Sequence, residues 1–238
     1  MIMTHRFASI AALLLALSPL SAAMAQTPPP APGAAQPSTP DRQGLVRVTL
    51  TTSMGPIVLD LDGRHAPITA ANFLRYVDQK RFDGISFYRS MRLAWGKPEK
   101  PEGLIQAGTR GDPKKTLKPI AHEPTSKTGL LHLPGAISMA RFAPGTATAD
   151  FSILVSEMPS LNAHPENPGD NAGYAVFGYV VEGMDVVRKI HAAPISPTLG
   201  QGPLKGQMLS PPVKILTARR TRVVAAPAPV PPVSPPAM

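Results

Sequence analysis

Proline divides this 238-residue chain into parts of unlike character. Twelve of its 30 prolines fall in two short flanks, residues 26–43 and 225–238, where Pro, Ala, Gln and Thr or Pro, Ala and Val leave little else. Such segments hold too little apolar surface to build a core and cannot sustain a helix, so an extended, polyproline-like linker and tail are expected. Between them, residues 44–224 carry short apolar runs separated by Gly, Pro and charged residues. A sequence so often interrupted is expected to fold as one domain of many short strands, because long helices need longer uninterrupted stretches.

Ahead of the first flank stands a different signal. Met1 to Arg6 is weakly basic, Phe7 to Leu20 is mostly Ala, Leu and Ile, and Ala23-Met24-Ala25 supplies a small-x-small pattern. This reads as a secretory signal peptide over residues 1–25, cleaved after Ala25. Its apolar run is short for a bilayer span, and no later stretch is apolar enough to make one, so no transmembrane span is expected in the mature chain. Export, here to a periplasm, agrees with the absence of cysteine: there is no thiol to protect, no disulfide and no Cys-based metal site. The net charge is +9 with a pI near 10.1, yet the bases are scattered and lack interleaved aromatics. Solubility accounts for them better than nucleic-acid binding does.

Within the domain, Val46–Leu50 and Ile57–Leu61 alternate with period two around Met54-Gly55-Pro56, which reads as a hairpin. Ala66-Pro67 opens a helix with Ala70, Phe73, Leu74 and Val77 on one face. Strands are expected over 85–91, 104–107, 136–140, 151–155, 176–181 and 213–218, and a second helix over 184–191. Two helices among many short strands point to a closed β-barrel capped at its ends. Familiar catalytic signatures are missing. The six histidines form no paired metal spacing, no Ser occupies a nucleophile elbow, and there is no phosphate or dinucleotide loop. Classes that need a metal, a nucleotide or a covalent nucleophile lose support, and no cofactor is expected.

Four segments carry a resemblance. Phe87-Tyr88-Arg89, Gly103-Leu104-Ile105-Gln106-Ala107-Gly108-Thr109, Gly135-Ala136-Ile137-Ser138-Met139-Ala140-Arg141 and the run Tyr174 to Val187 resemble, in this order, the cyclophilin family of peptidyl-prolyl isomerases. The resemblance implies an eight-stranded antiparallel β-barrel with a helix over each end, and no cofactor. It implies proline-containing, exposed polypeptide segments as partners, and a monomer is expected. Arg89 falls where the family keeps its catalytic arginine. A guanidinium suits that role, because it stays charged and presents several fixed N–H groups to an amide twisted out of conjugation. The side chain of Arg89 is expected to point away from those of Phe87 and Ile85.

By the same resemblance Gln106 holds the arginine or the substrate backbone, Ala140 lets that backbone lie close, Leu161 rims the pocket and Tyr174 supplies an aromatic wall. The chain also departs from the family. Ser152 stands where a phenylalanine floors the proline pocket, Asp150 where a glutamine stands, Gly103 or Leu104 in place of a phenylalanine, Arg141 in place of an asparagine, and Ser160 where drug-binding members place tryptophan. Asp150 is expected to pair with Arg89. Trp95, the only tryptophan, lies in an insertion over residues 92–102 and is expected to pack over the proline pocket in compensation for Ser152. The sequence therefore leads to a prolyl isomerase acting on exported proteins, with a peptide-binding or chaperone-like module of little turnover as the alternative.

Overall fold

The computed structural model describes residues 44–221. The expected signal peptide, linker and tail, and the last residues of the expected domain, lie outside the described residues.

The first hairpin shows how the barrel is built. In β1 (Leu45–Thr52) and β2 (Gly55–Asp62) alternate residues turn inward, so Val48, Leu50, Ile57, Leu59 and Leu61 are fully buried. The strands run two residues further into the turn than the alternation indicated. The Thr52 hydroxyl closes the turn, accepting from the Met54 N–H and donating to the Gly55 carbonyl. A helix, α1 (Pro67–Asp78), follows with Pro67 in its first turn. Its N-terminus is capped from a distant loop: Glu123 accepts the N–H groups of Ile68 and Thr69 and the Thr69 hydroxyl. A buried carboxylate at that end satisfies orphan donors and meets the positive pole of the helix.

The remaining strands are β3 (Ser86–Arg92), β4 (Gly103–Gly108), β5 (Ala136–Met139), β6 (Phe151–Leu154), β7 (Ala175–Glu182), β8 (Ile195–Ser196) and β9 (Met208–Arg220). They pair in the order β1-β2-β7-β5-β6-β4-β3-β9, and β9 returns to β1, so eight antiparallel strands close a barrel. The two-residue β8 only extends β9 at its edge. Closure leaves the barrel itself without an unpaired edge. α1 and α3 (Met184–Ala192) pack on it. A third helix, the single turn α2 (Thr125–Thr128), corrects the expectation of two. It is four polar and basic residues between Pro124 and Gly129, too short to show any apolar period.

Strand β9 is also far longer than its expected 213–218, because Pro211 and Pro212 argue against a strand in sequence. Inside, the rings of Phe73, Phe82, Phe151 and Phe177 pack at centroid distances of 4.8–5.6 Å, with Phe87 and Tyr76 completing the cluster. An interior filled by aromatic side chains leaves no lumen for a ligand.

Candidate active site

Strict alternation along β3 would put Arg89 on the same face as Ile85 and Phe87, inside the barrel. A β-bulge prevents this. Phe87 pairs with Ala107 of β4, but Arg89 pairs with the very next residue, Gln106, so Tyr88 is an extra residue in the ladder. Phe87 stays fully buried in the core, while Arg89 turns outward. Bulges often re-aim a side chain in this way. The expected direction of Arg89 is thus correct, and the bulge is its cause.

The register then runs one outward-facing row across four strands: Arg89 of β3 opposite Gln106 of β4, Gln106 opposite Ser152 of β6, and Ser152 opposite Ser138 of β5. Above this row opens a cleft of about 580 Å³. All eight residues expected in the site, Arg89, Leu104, Gln106, Ala140, Asp150, Ser152, Leu161 and Tyr174, line it. Met139 and Met208 add apolar wall. The Tyr174 N–H donates to the Leu161 carbonyl, which ties the aromatic wall to the rim.

Arg89 is half-buried and held from two sides. Its Nε donates to Gln207 Oε1 at 2.8 Å and its Nη1 to Gln106 Oε1 at 2.9 Å. Gln207 in turn donates to the Pro203 carbonyl. Burial pulls the Arg89 pKa down, partly offset by Tyr88 and Tyr174, and guanidinium basicity is high enough that the charge remains. Two of its five N–H groups are used, so the rest are free of partners among the described residues.

Asp150 does not pair with Arg89, contrary to expectation. Its Oδ2 accepts the Tyr88 hydroxyl at 2.8 Å and its Oδ1 the Arg110 N–H at 3.0 Å. The register explains this. Ser152, not Asp150, stands in the row with Arg89, and Asp150 lies two residues along, beside Gly108. A Cβ on Gly108, whose φ is +153°, would sit 2.0 Å from Asp150 Oδ1, so glycine leaves the carboxylate its place. Burial and Asp150 together push the Tyr88 phenol far above its ordinary pKa, and it stays a donor. Arg141 packs over the Tyr174 ring at 5.1 Å and is itself anchored to Asp170 and the Gly173 carbonyl.

A further correction concerns Trp95. It is 69% exposed and does not line the cleft. Its loop turns instead toward α3, where Arg92 donates to the His191 and Ala193 carbonyls. Sequence reasoning also missed Gln207, which comes from the loop before β9, 118 residues from Arg89, and has no sequence signal. Among the described residues no group of three His, Cys, Asp or Glu side chains could hold a metal ion.

The barrel, the outward-turned arginine and the apolar cleft are matched by the comparisons with known proteins. The family model for cyclophilin type peptidyl-prolyl cis-trans isomerases matches residues 47–220. A peptidyl-prolyl cis-trans isomerase of Acinetobacter baylyi is 36% identical over 176 residues, covering 72% of this chain and 84% of that protein. One from Streptomyces antibioticus is 40% identical over 147 residues, covering 60% and 81%. A cyclophilin-type isomerase of Cryptosporidium parvum, solved in the presence of the dipeptide Ala-Pro, superposes with a TM-score of 0.58 at 19% identity, covering 74% of this chain and 99% of that one. The chain belongs to the cyclophilin-type peptidyl-prolyl cis-trans isomerases.

Proposed function

We propose that this chain is an exported, periplasmic prolyl isomerase that assists the folding of envelope proteins, and that Arg89 is its catalytic group. Amide resonance sets a barrier of roughly 18–20 kcal/mol to rotation about an X-Pro bond. No covalent bond needs to break. Catalysis asks for a pocket that holds the ring and for a donor that favours the twisted amide over the planar one. The observation that carries the reading is the state of Arg89. The guanidinium is fixed by Gln106 and Gln207 through neutral oxygens, in an apolar cleft, with N–H groups to spare. A neutral clamp orients the charge without quenching it, which a carboxylate would do.

Ala140 keeps that wall low for a substrate backbone, and Leu104, Leu161 and Tyr174 enclose the ring. The dipeptide Ala-Pro, present with the Cryptosporidium relative, is the chemistry such a cleft accepts. The signal-peptide pattern of residues 1–25 supports export, and among the described residues no helix is long and apolar enough to cross a membrane. A monomer acting on exposed X-Pro segments needs no other partner.

Ser152 favours a second reading. A hydroxyl where an aromatic ring would floor the pocket weakens the grip on proline, as in a peptide-binding module of low turnover. A protease-coupled isomerisation assay on the mature chain decides between the two. Catalysed exchange that drops at least tenfold in Arg89→Ala, about 1.4 kcal/mol of barrier, with the barrel still folded, supports the enzyme. Peptide binding without acceleration supports the module. Appearance in the periplasmic fraction of a chain beginning at Gln26 tests export.

A further inference from the structure

In the wall of the cleft opposite Arg89, three side chains form a hydrogen-bonded line that isomerisation does not use. Ser138 Oγ lies 2.9 Å from His132 Nε2, and His132 Nδ1 lies 2.8 Å from Asn162 Oδ1. The direction of these bonds is set by a backbone group. The His132 main-chain N–H donates to the same Asn162 oxygen at 3.1 Å, so this atom is the amide carbonyl and can only accept. His132 Nδ1 therefore carries the hydrogen. In the neutral ring Nε2 is then bare, and the Ser138 hydroxyl donates to it. Burial lowers the His132 pKa, so the neutral ring prevails at neutral pH. Nucleophile, base and orienter stand in the polarity that activates serine in acyl-transfer enzymes.

The place of Ser138 matters as much as its partners. It lines the cleft, and its register partner Ser152 is small where an aromatic ring would screen it. Next in the row stands Gln106, whose oxygen serves Arg89. The Ser152 hydroxyl and the Gln106 amide nitrogen have no hydrogen-bond partner among the described residues. Free donors of this kind stabilise the oxyanion of acyl transfer when they face it.

We propose that Ser138 is a base-activated nucleophile, and that the cleft carries a second activity, hydrolysis of small acyl esters. Ser138 Oγ forms a bond to the ester carbonyl carbon while its proton passes to His132 Nε2. Collapse of the tetrahedral adduct breaks the bond to the alkoxide, which leaves as the alcohol with that proton. Water then attacks the acyl-serine, His132 takes and returns its proton, and a carboxylic acid departs as the Ser138 hydroxyl is restored. Only 3% of Ser138 is exposed, so the acyl group must be narrow, of the size of acetyl. The sequence shows no nucleophile elbow because this serine stands on a flat strand, and Asn162 is 30 residues from His132.

The test uses the mature chain with p-nitrophenyl acetate and with a short alkyl fluorophosphonate, read by intact mass and peptide mapping. One adduct per chain, on Ser138, is expected, absent from Ser138→Ala and unchanged in Trp95→Ala. Ser152→Phe should slow labelling at least tenfold by screening Ser138. Asn162→Ala should slow it severalfold, with Asn162→Asp restoring it. The wild-type rate should fall as the pH drops toward the lowered pKa of the buried His132, where the imidazole takes a proton. No adduct, an adduct only at other residues, equal labelling of Ser138→Ala, or a rate indifferent to pH and to Asn162 would each overturn the proposal. Isomerisation is measured separately, so either activity can fail while the other stands.

Discussion

The two sides of the cleft are organised differently. On the β3–β4 side a permanent cation is gripped by two neutral amides, Gln106 and Gln207, and among the described residues no carboxylate bonds to it. On the β5–β6 side two hydroxyls, Ser152 and Ser138, lie in register, and the inner one leans on a neutral, titratable His132. The first side carries the group proposed for isomerisation, a guanidinium that stays charged near neutrality. The second presents hydroxyls where the family resemblance led to an aromatic floor, beside a histidine whose pKa burial lowers. Each side is held by its own pair of strands.

This contrast can be broken at several points. The largest expected effect is on acid stability. His132 and His191 are both buried and both have lowered pKa values. Below the ordinary 6.5 the unfolded chain binds protons that the folded chain refuses, so stability is full above that pH and falls as the pH drops toward the folded pKa values. The slope can reach about 1.4 kcal/mol per pH unit for each histidine. Urea midpoints at pH 7 and pH 5 measure it, and His132→Gln should remove its share. Equal midpoints would show that the serine side does not rest on a neutral imidazole.

Next in size, Ser152→Phe restores an aromatic floor and should tighten binding of an X-Pro peptide about tenfold by calorimetry, roughly 1.4 kcal/mol. An unchanged affinity would mean that the missing ring is not what weakens the grip. Gln207→Ala should lower kcat about threefold with KM unchanged, since Gln207 orients Arg89 and does not line the cleft. A rise in KM alone would make it a binding residue. The smallest effect belongs to Trp95→Ala, which should leave peptide affinity unchanged and stability within about 0.5 kcal/mol, as for other exposed positions. A clear loss of affinity would bring the insertion back to the cleft.

Much of this was legible in the sequence where one strand dictates its own faces. The alternation in β1 and β2 and the apolar stripe of α1 set the barrel wall and its plug, and the four quoted motifs hold Arg89, Leu104, Gln106, Ala140 and Tyr174 of the cleft. What escaped depends on partners distant in sequence. The bulge at Tyr88 is set by pairing with β4, so strict alternation alone misplaces Arg89. The pairing of Asp150 with Tyr88 follows from the register of β6 on β4, which moves it two residues away from the arginine row. β9 begins five residues early because its prolines sit where the ladder with β3 is interrupted: Met208 pairs with Arg89, and the next pair is Val213 with Phe87. Trp95 was assigned from its position between two site residues, but a loop is steered by what it packs on, here α3.

The central claim is that Arg89 turns binding into catalysis. Exchange NMR on an Ala-Pro peptide measures both in one sample, through line shifts for binding and cis–trans cross-peaks for turnover. The account predicts that wild type binds and exchanges the peptide, whereas Arg89→Ala binds it within about threefold and exchanges it at least tenfold more slowly. Exchange at the wild-type rate in Arg89→Ala would contradict it.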